Sequence, residues 1–108
     1  MDLMKMMGKA RELQTRMASL QEELKEVEAT GESGAGSVSA RVNGQMALVA
    51  LTIDPALMKP EEKEIVEDLV IAAVADARAK VERLVAEKTQ AVMGEMGLPA
   101  GMKLPFGG

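Results

Sequence analysis

The chain has 108 residues, a formal charge of −4, one aromatic residue, no cysteine and no histidine. There is room for one small domain cored by Val, Leu, Ile, Ala and Met, while a disulfide framework, a thiolate metal site and any catalytic arrangement needing histidine are excluded. The longest uninterrupted apolar run, 69–75, is too short to cross a bilayer, and the first residues lack the apolar core of a signal peptide, so a cytoplasmic protein is expected.

The first element is a long helix. Leu3, Met6, Ala10, Leu13, Met17, Leu20, Leu24 and Val27 recur at alternating spacings of three and four, an apolar seam of nearly four heptads. Such a seam packs lengthwise on another helix, either the second helix of the same chain or a second copy. Thr30-Gly31 stops the helical pattern. Lys5, Lys9, Arg11 and Arg16 lie in its first half, and Glu22, Glu23, Glu26 and Glu28 crowd its second. The helix dipole prefers the reverse order, so this arrangement points to a partner.

A small antiparallel meander follows. Asn43-Gly44 is a strong two-residue hairpin signal, because both central residues of a type I′ turn need positive φ. That turn pairs Val42 with Gln45, Ala40 with Ala47 and Val38 with Val49. It sets Val38, Ala40, Val42, Ala47, Val49, Leu51 and Ile53 on one face. Gly34-Ala35-Gly36 reverses the chain upstream, making 27–33 a third strand. The other sheet face carries Ser37, Ser39 and Arg41, and either a loop or another subunit covers it. So little apolar material for three strands and two helices makes burial against a second copy expected.

Pro60, followed by Glu61, Glu62 and Glu64, reads as the start of a second long helix, which Gly94 ends after Met93. Its apolar stripe is Ile65, Val66, Leu69, Val70, Ala73, Val74, Ala77, Val81, Leu84 and Val85. Residues 1–93 therefore form one α-β-β-β-α domain of the α+β class, and 94–108, rich in Gly, Pro and Met, a flexible tail.

No arrangement of side chains supports catalysis. Gly31-Glu32-Ser33-Gly34-Ala35 approaches a nucleophile elbow but lacks its last glycine, and there is no histidine to complete a triad. Neither phosphate-loop spacing is present, and no calcium-loop spacing groups the carboxylates. The expectation is a protein that is not an enzyme and needs no metal or cofactor.

The order of elements, together with residues 30–36 (Thr-Gly-Glu-Ser-Gly-Ala-Gly), Val42-Asn43-Gly44, Ile53-Asp54-Pro55, Glu67-Asp68-Leu69-Val70 and the Leu-Pro/Met-Lys-Leu-Pro-Phe run of 98–106, resembles the YbaB/EbfC family of bacterial nucleoid-associated proteins. The resemblance covers essentially the whole chain. It implies a tweezer-shaped homodimer whose helices project as arms, binding of duplex DNA with little sequence preference, a place in the nucleoid, and a recombination-mediator protein as a further partner. It supplies no fixed set of DNA-contacting residues, so those are read from charge. If the two helices run antiparallel, Lys5, Lys9, Arg11, Arg16, Lys80, Arg83 and Lys88 gather at the arm tip with Asp2, Glu12, Glu82 and Glu87. Seven bases against four acids give +3 on a chain of −4. Phosphate contacts need only positive charge, so a basic tip on an acidic body can grip duplex DNA without reading sequence. The rival expectation is an adaptor that docks recombination or replication factors, with DNA binding incidental.

Overall fold

A long helix laid diagonally over one face of a small sheet dominates the computed structural model, which describes residues 2–95 and 97. The element order is α1 (Leu3–Lys25), β1 (Glu28–Ser33), β2 (Val38–Asn43), β3 (Leu48–Ile53), two single 3-10 turns (Pro55–Leu57 and Pro60–Glu62) and α2 (Lys63–Glu95). The expected α-β-β-β-α architecture is present, and the three antiparallel strands lie in the order β1-β2-β3. The molecule measures 72 × 21 × 17 Å with a radius of gyration of 19.5 Å. A compact chain of this length would have about 13 Å.

Gly31 sets how closely α2 meets the sheet. A Cβ built on it would stand 2.2 Å from the amide nitrogen of Ala77 and 2.3 Å from the carbonyl oxygen of Ala73, so helix backbone rests on strand backbone. Ala73 and Ala77 are fully buried at this crossing because nothing larger fits. Around it Val38 and Ala40 pack with Leu69, Val70, Val74 and Ile53, while Val27, Val42 and Val81 pack with Leu24, Met46 and Val85.

The hairpin between β2 and β3 departs from the expected one. Val38 faces Ile53, Ala40 faces Leu51 and Val42 faces Leu48, with a bulge between Arg41 and Val42. Asn43 opens a three-residue loop: its carbonyl accepts from Met46 N–H at 2.9 Å, and its Oδ1 accepts from Gln45 and Ala47 N–H at 2.9 and 3.0 Å. Met46, at φ +64°, takes the left-handed position that a type I turn followed by a bulge requires. Gly44 is there for space, since its Cβ would fall 1.6 Å from the carbonyl oxygen of Leu24. The loop therefore buttresses the end of α1.

Both helix boundaries also shift. α1 ends at Lys25, so Val27 is not its last seam position but a core residue, 7% exposed, leading into β1. α2 starts three residues after Pro60, beyond a 3-10 turn, and passes through Gly94 to Glu95. A helical glycine costs only about 1 kcal/mol, and buried Val92 and Met93 hold that turn in place. The turn comes at Gly97, at φ +70°, whose N–H donates to the Gly94 carbonyl at 3.1 Å. The tail beyond it, 98–108, lies outside the described residues.

The outer edge of β1 is closed by α2. Asp76 accepts from Glu32 N–H at 3.1 Å, and Lys80 Nζ donates to the Thr30 carbonyl at 3.1 Å while pairing with Asp76 at 3.1 Å. The Glu32 amide first, and Lys80 second, hold the Asp76 carboxyl below its ordinary pKa.

Three outcomes follow for stability. Gly31→Ala should lower it by at least about 2 kcal/mol in urea unfolding, because the obstacles are backbone atoms that cannot rotate away. Gly8→Ala, helical and with nothing within 4 Å, should raise it by about 0.5–1 kcal/mol. A carboxyl whose pKa is lower folded than unfolded contributes stability above the unfolded value and loses it as pH falls through the folded one. Asp76→Asn should therefore be less stable than wild type at neutral pH, with the two curves converging below about pH 4 in acid titrations of unfolding.

Candidate nucleic-acid interface

The arm begins where Asp2 caps α1, its Oδ1 accepting from Met4 N–H at 3.1 Å. The helix then runs back toward the sheet, and α2 runs out beside it in the opposite sense. Arg16 fixes the offset: its Nε and Nη2 both donate to Glu95 Oε2, the former at 3.1 Å, so the last turn of α2 sits beside the middle of α1. Leu20 is fully buried and Met17 half-buried, whereas α1 from Leu3 to Thr15 is exposed. At 1.5 Å per residue, Lys5 stands about 16 Å beyond Arg16.

Of the seven bases expected at the tip, the structure brings only some together. Lys5, Lys9 and Arg11 occupy the projecting part of α1, all exposed, and no carboxylate of the described residues forms a salt bridge with them. Arg16 marks the end of α2 and is paired with Glu95. Lys88 lies partway along the arm. Lys80 is at the root, bound to Asp76 and the Thr30 carbonyl beside β1, and Arg83 is near enough to Asp76 to help lower its pKa. From Lys80 to Glu95 is about 22 Å of helix. The expected single cluster is a row along the arm. Its root was misplaced because the antiparallel offset depends on which helix is longer, and a charge pattern does not carry that.

The acidic half of α1 lies at the body. Glu22 pairs with Lys25 at 3.1 Å and Glu28 with Arg41 at 3.4 Å across the sheet's outer face. Arg78, outside the expected set, borders an open and mostly apolar groove with Val70, Ile71, Val74, Ala75, Ala79 and Glu82 on the flank of α2. The spacing of 70, 71, 74, 75 and 78 is a helical stripe of its own, beside the one that faces the sheet. No group of three or more His, Asp or Glu side chains among the described residues could hold a metal ion, and no described helix is long and apolar enough to cross a membrane.

Known proteins resemble this chain in sequence and in fold. A profile of the YbaB/EbfC DNA-binding family matches residues 1–96. A nucleoid-associated protein of Bartonella tribocorum is 48% identical over 105 residues, covering 97% of this chain and 98% of its own. Those of Brucella anthropi and Nitrobacter hamburgensis are 50% identical, over 97% and 95% of this chain and 98% and 97% of their own. Among solved structures, an uncharacterized protein from Helicobacter pylori superposes with a TM-score of 0.66 at 30% identity, over 89% of this chain and 97% of its own. The three sequence relatives are named for the nucleoid, and the family for DNA. The chain belongs to the YbaB/EbfC DNA-binding family.

Proposed function

We infer that the protein acts in the nucleoid as a homodimer that holds duplex DNA through phosphate contacts from its arms, largely without regard to sequence. The observation that carries this reading is the trio Lys5, Lys9 and Arg11 on the stretch of α1 that outreaches α2, without carboxylate partners among the described residues. Lys88 extends the row inward. Arg16 and Lys80, already paired, add less. The carboxylates of the body repel DNA and keep contact to the arms. One aromatic residue in the whole chain leaves no platform for stacking single-stranded bases.

The dimer has separate support. The chain has 7688 Å² of accessible surface, where a compact monomer of 11.5 kDa would have about 5,800 Å². The excess, about 1,900 Å², is within the range that obligate interfaces bury per partner. Part of it is apolar. β1 has its edge closed by Asp76 and Lys80, but no strand of the described residues lies beyond β3. Asn43 and Asp54 donate to Ala47 and Ser37, so by alternation the backbone groups of Leu51 and Ile53 point outward, away from β2. Leu51 is exposed on that strand, and on α2 an apolar groove beside Val74 is flanked by Ile71, 68% exposed. An open apolar edge strand aggregates unless something pairs with it, and a second copy provides the same strand.

A fluorescent random duplex titrated across a salt series tests the DNA contact. Changing Lys5, Lys9 and Arg11 together to Glu should weaken binding at least about tenfold and make the logarithmic salt slope shallower by about 2–3 for each arm engaged. Lys80→Gln should bind nearly as wild type. Equal binding by the triple variant would move the contact to the body, and no binding by wild type would favour protein docking. For the dimer, Ile71→Glu should sediment as a folded monomer in analytical ultracentrifugation, because so exposed a residue contributes little within one chain.

A further inference from the structure

The tip of α1 carries apolar side chains that neither α2 nor the DNA contact accounts for. Leu3 and Met4, 70% and 80% exposed, are the two most exposed large apolar side chains among the described residues, and Met6 and Met7 follow at 50% and 54%. At about 100° per residue the four fall within an arc of about 160°, nearly half of the helix circumference. Lys5 and Glu12 lie opposite that arc. Lys9 stands just outside its Met6 margin and Arg11 over its Met4–Met7 margin, about 9 and 12 Å along the axis from Leu3. Over residues 3–15 three bases stand against one acid, or +2.

So broad an apolar arc narrows the choice of occupant. A single partner helix covers a narrower seam than this. A second copy of the tip would bring its own Lys5, Lys9 and Arg11 against the same bases. Duplex DNA matches the bases, but its base edges are hydrogen-bonding groups that an apolar arc would leave unpaired. An anionic bilayer matches both features. Its acyl region takes the apolar side chains and its headgroups the bases, whose stems lie along apolar surface while their charges stay at the rim.

We propose that the first two turns of α1 insert into the surface of an anionic bilayer. Leu3, Met4, Met6 and Met7 enter the boundary between headgroups and acyl chains, about 5–10 Å deep. α2 lies alongside α1 from Arg16 on, so the arm enters tip first and at a tilt, not flat. That depth sets Lys9 and Arg11 among the headgroups, while Lys5 and Glu12 face water. The association is peripheral, since no described helix is long and apolar enough to cross a membrane. It does not rest on the DNA reading, and a duplex held through Lys9 and Arg11 competes with it.

Full-length protein without DNA, sedimented with vesicles of equal parts phosphatidylglycerol and phosphatidylcholine, should bind them at least about tenfold more tightly than vesicles of phosphatidylcholine alone. Changing Leu3, Met4, Met6 and Met7 all to Ala, which preserves helix propensity, should weaken that binding at least about tenfold while helix content by circular dichroism holds. The chain has no tryptophan, so single reporters can be placed in it. Emission of Met4→Trp should move to the blue on the mixed vesicles, and that of Met58→Trp, at a site 65% exposed on the body, should not. Failure to bind the mixed vesicles, equal binding to both kinds, binding unchanged by the alanine variant, or equal shifts of the two reporters would each overturn the proposal. None of these readouts involves DNA.

Discussion

The body of this protein depends on the contact between two backbones, that of α2 at Ala73–Ala77 and that of β1 at Gly31. Because no side chain separates them, the helix sits low enough for Asp76 and Lys80, on its flank, to reach the unpaired amide of Glu32 and carbonyl of Thr30. One close approach thus provides both the core and the closure of a strand edge. The largest fully buried side chains are Leu20, Val38, Val42 and Val81, so the core is made of small pieces and its cohesion relies on short distances.

The same geometry distributes work between the two ends of the molecule. At the sheet, charges are spent on structure: Lys80 on Asp76, Arg41 on Glu28, Lys25 on Glu22. Along the arm Arg16 is spent on Glu95, but beyond it Lys5, Lys9 and Arg11 have no salt-bridge partner among the described residues and face solvent. The two edges of the sheet differ in the same way, β1 sealed by α2 and β3 left open with apolar residues around it. Among the described residues, the sheet thus has one sealed edge and one open edge.

Much of this was legible in the sequence because it rests on period. The three-four spacing from Leu3 to Leu24 and the turn residues around 34–36 and 43–44 each imply an element by local physics alone. The tests of that logic were the places where two elements meet. Gly44 read as a residue needed for its φ, but it is needed for its missing Cβ beneath Leu24, and the left-handed position fell to Met46. With a three-residue loop in place of two, the β2–β3 pairing slid, and a bulge restored the buried face of Val38, Ala40 and Val42. Lys80 looked like one more base near the end of a helix, since nothing in its neighbours reveals a carbonyl 50 positions away. Contacts across elements decided all three.

The meeting of Gly44 with the Leu24 carbonyl also has a mechanical meaning. α1 is held by the hairpin loop at Leu24, by the core at Leu20 and by Glu95 at Arg16, and from there about 16 Å of helix leads to Lys5. A stiff rod held at one end is a lever: tilting by about 10° where it is held swings its far end by about 3 Å. The position of the arm's far end is then governed in part at the tip of a β-hairpin. A single methyl group at position 44 would be felt at the other end of the molecule.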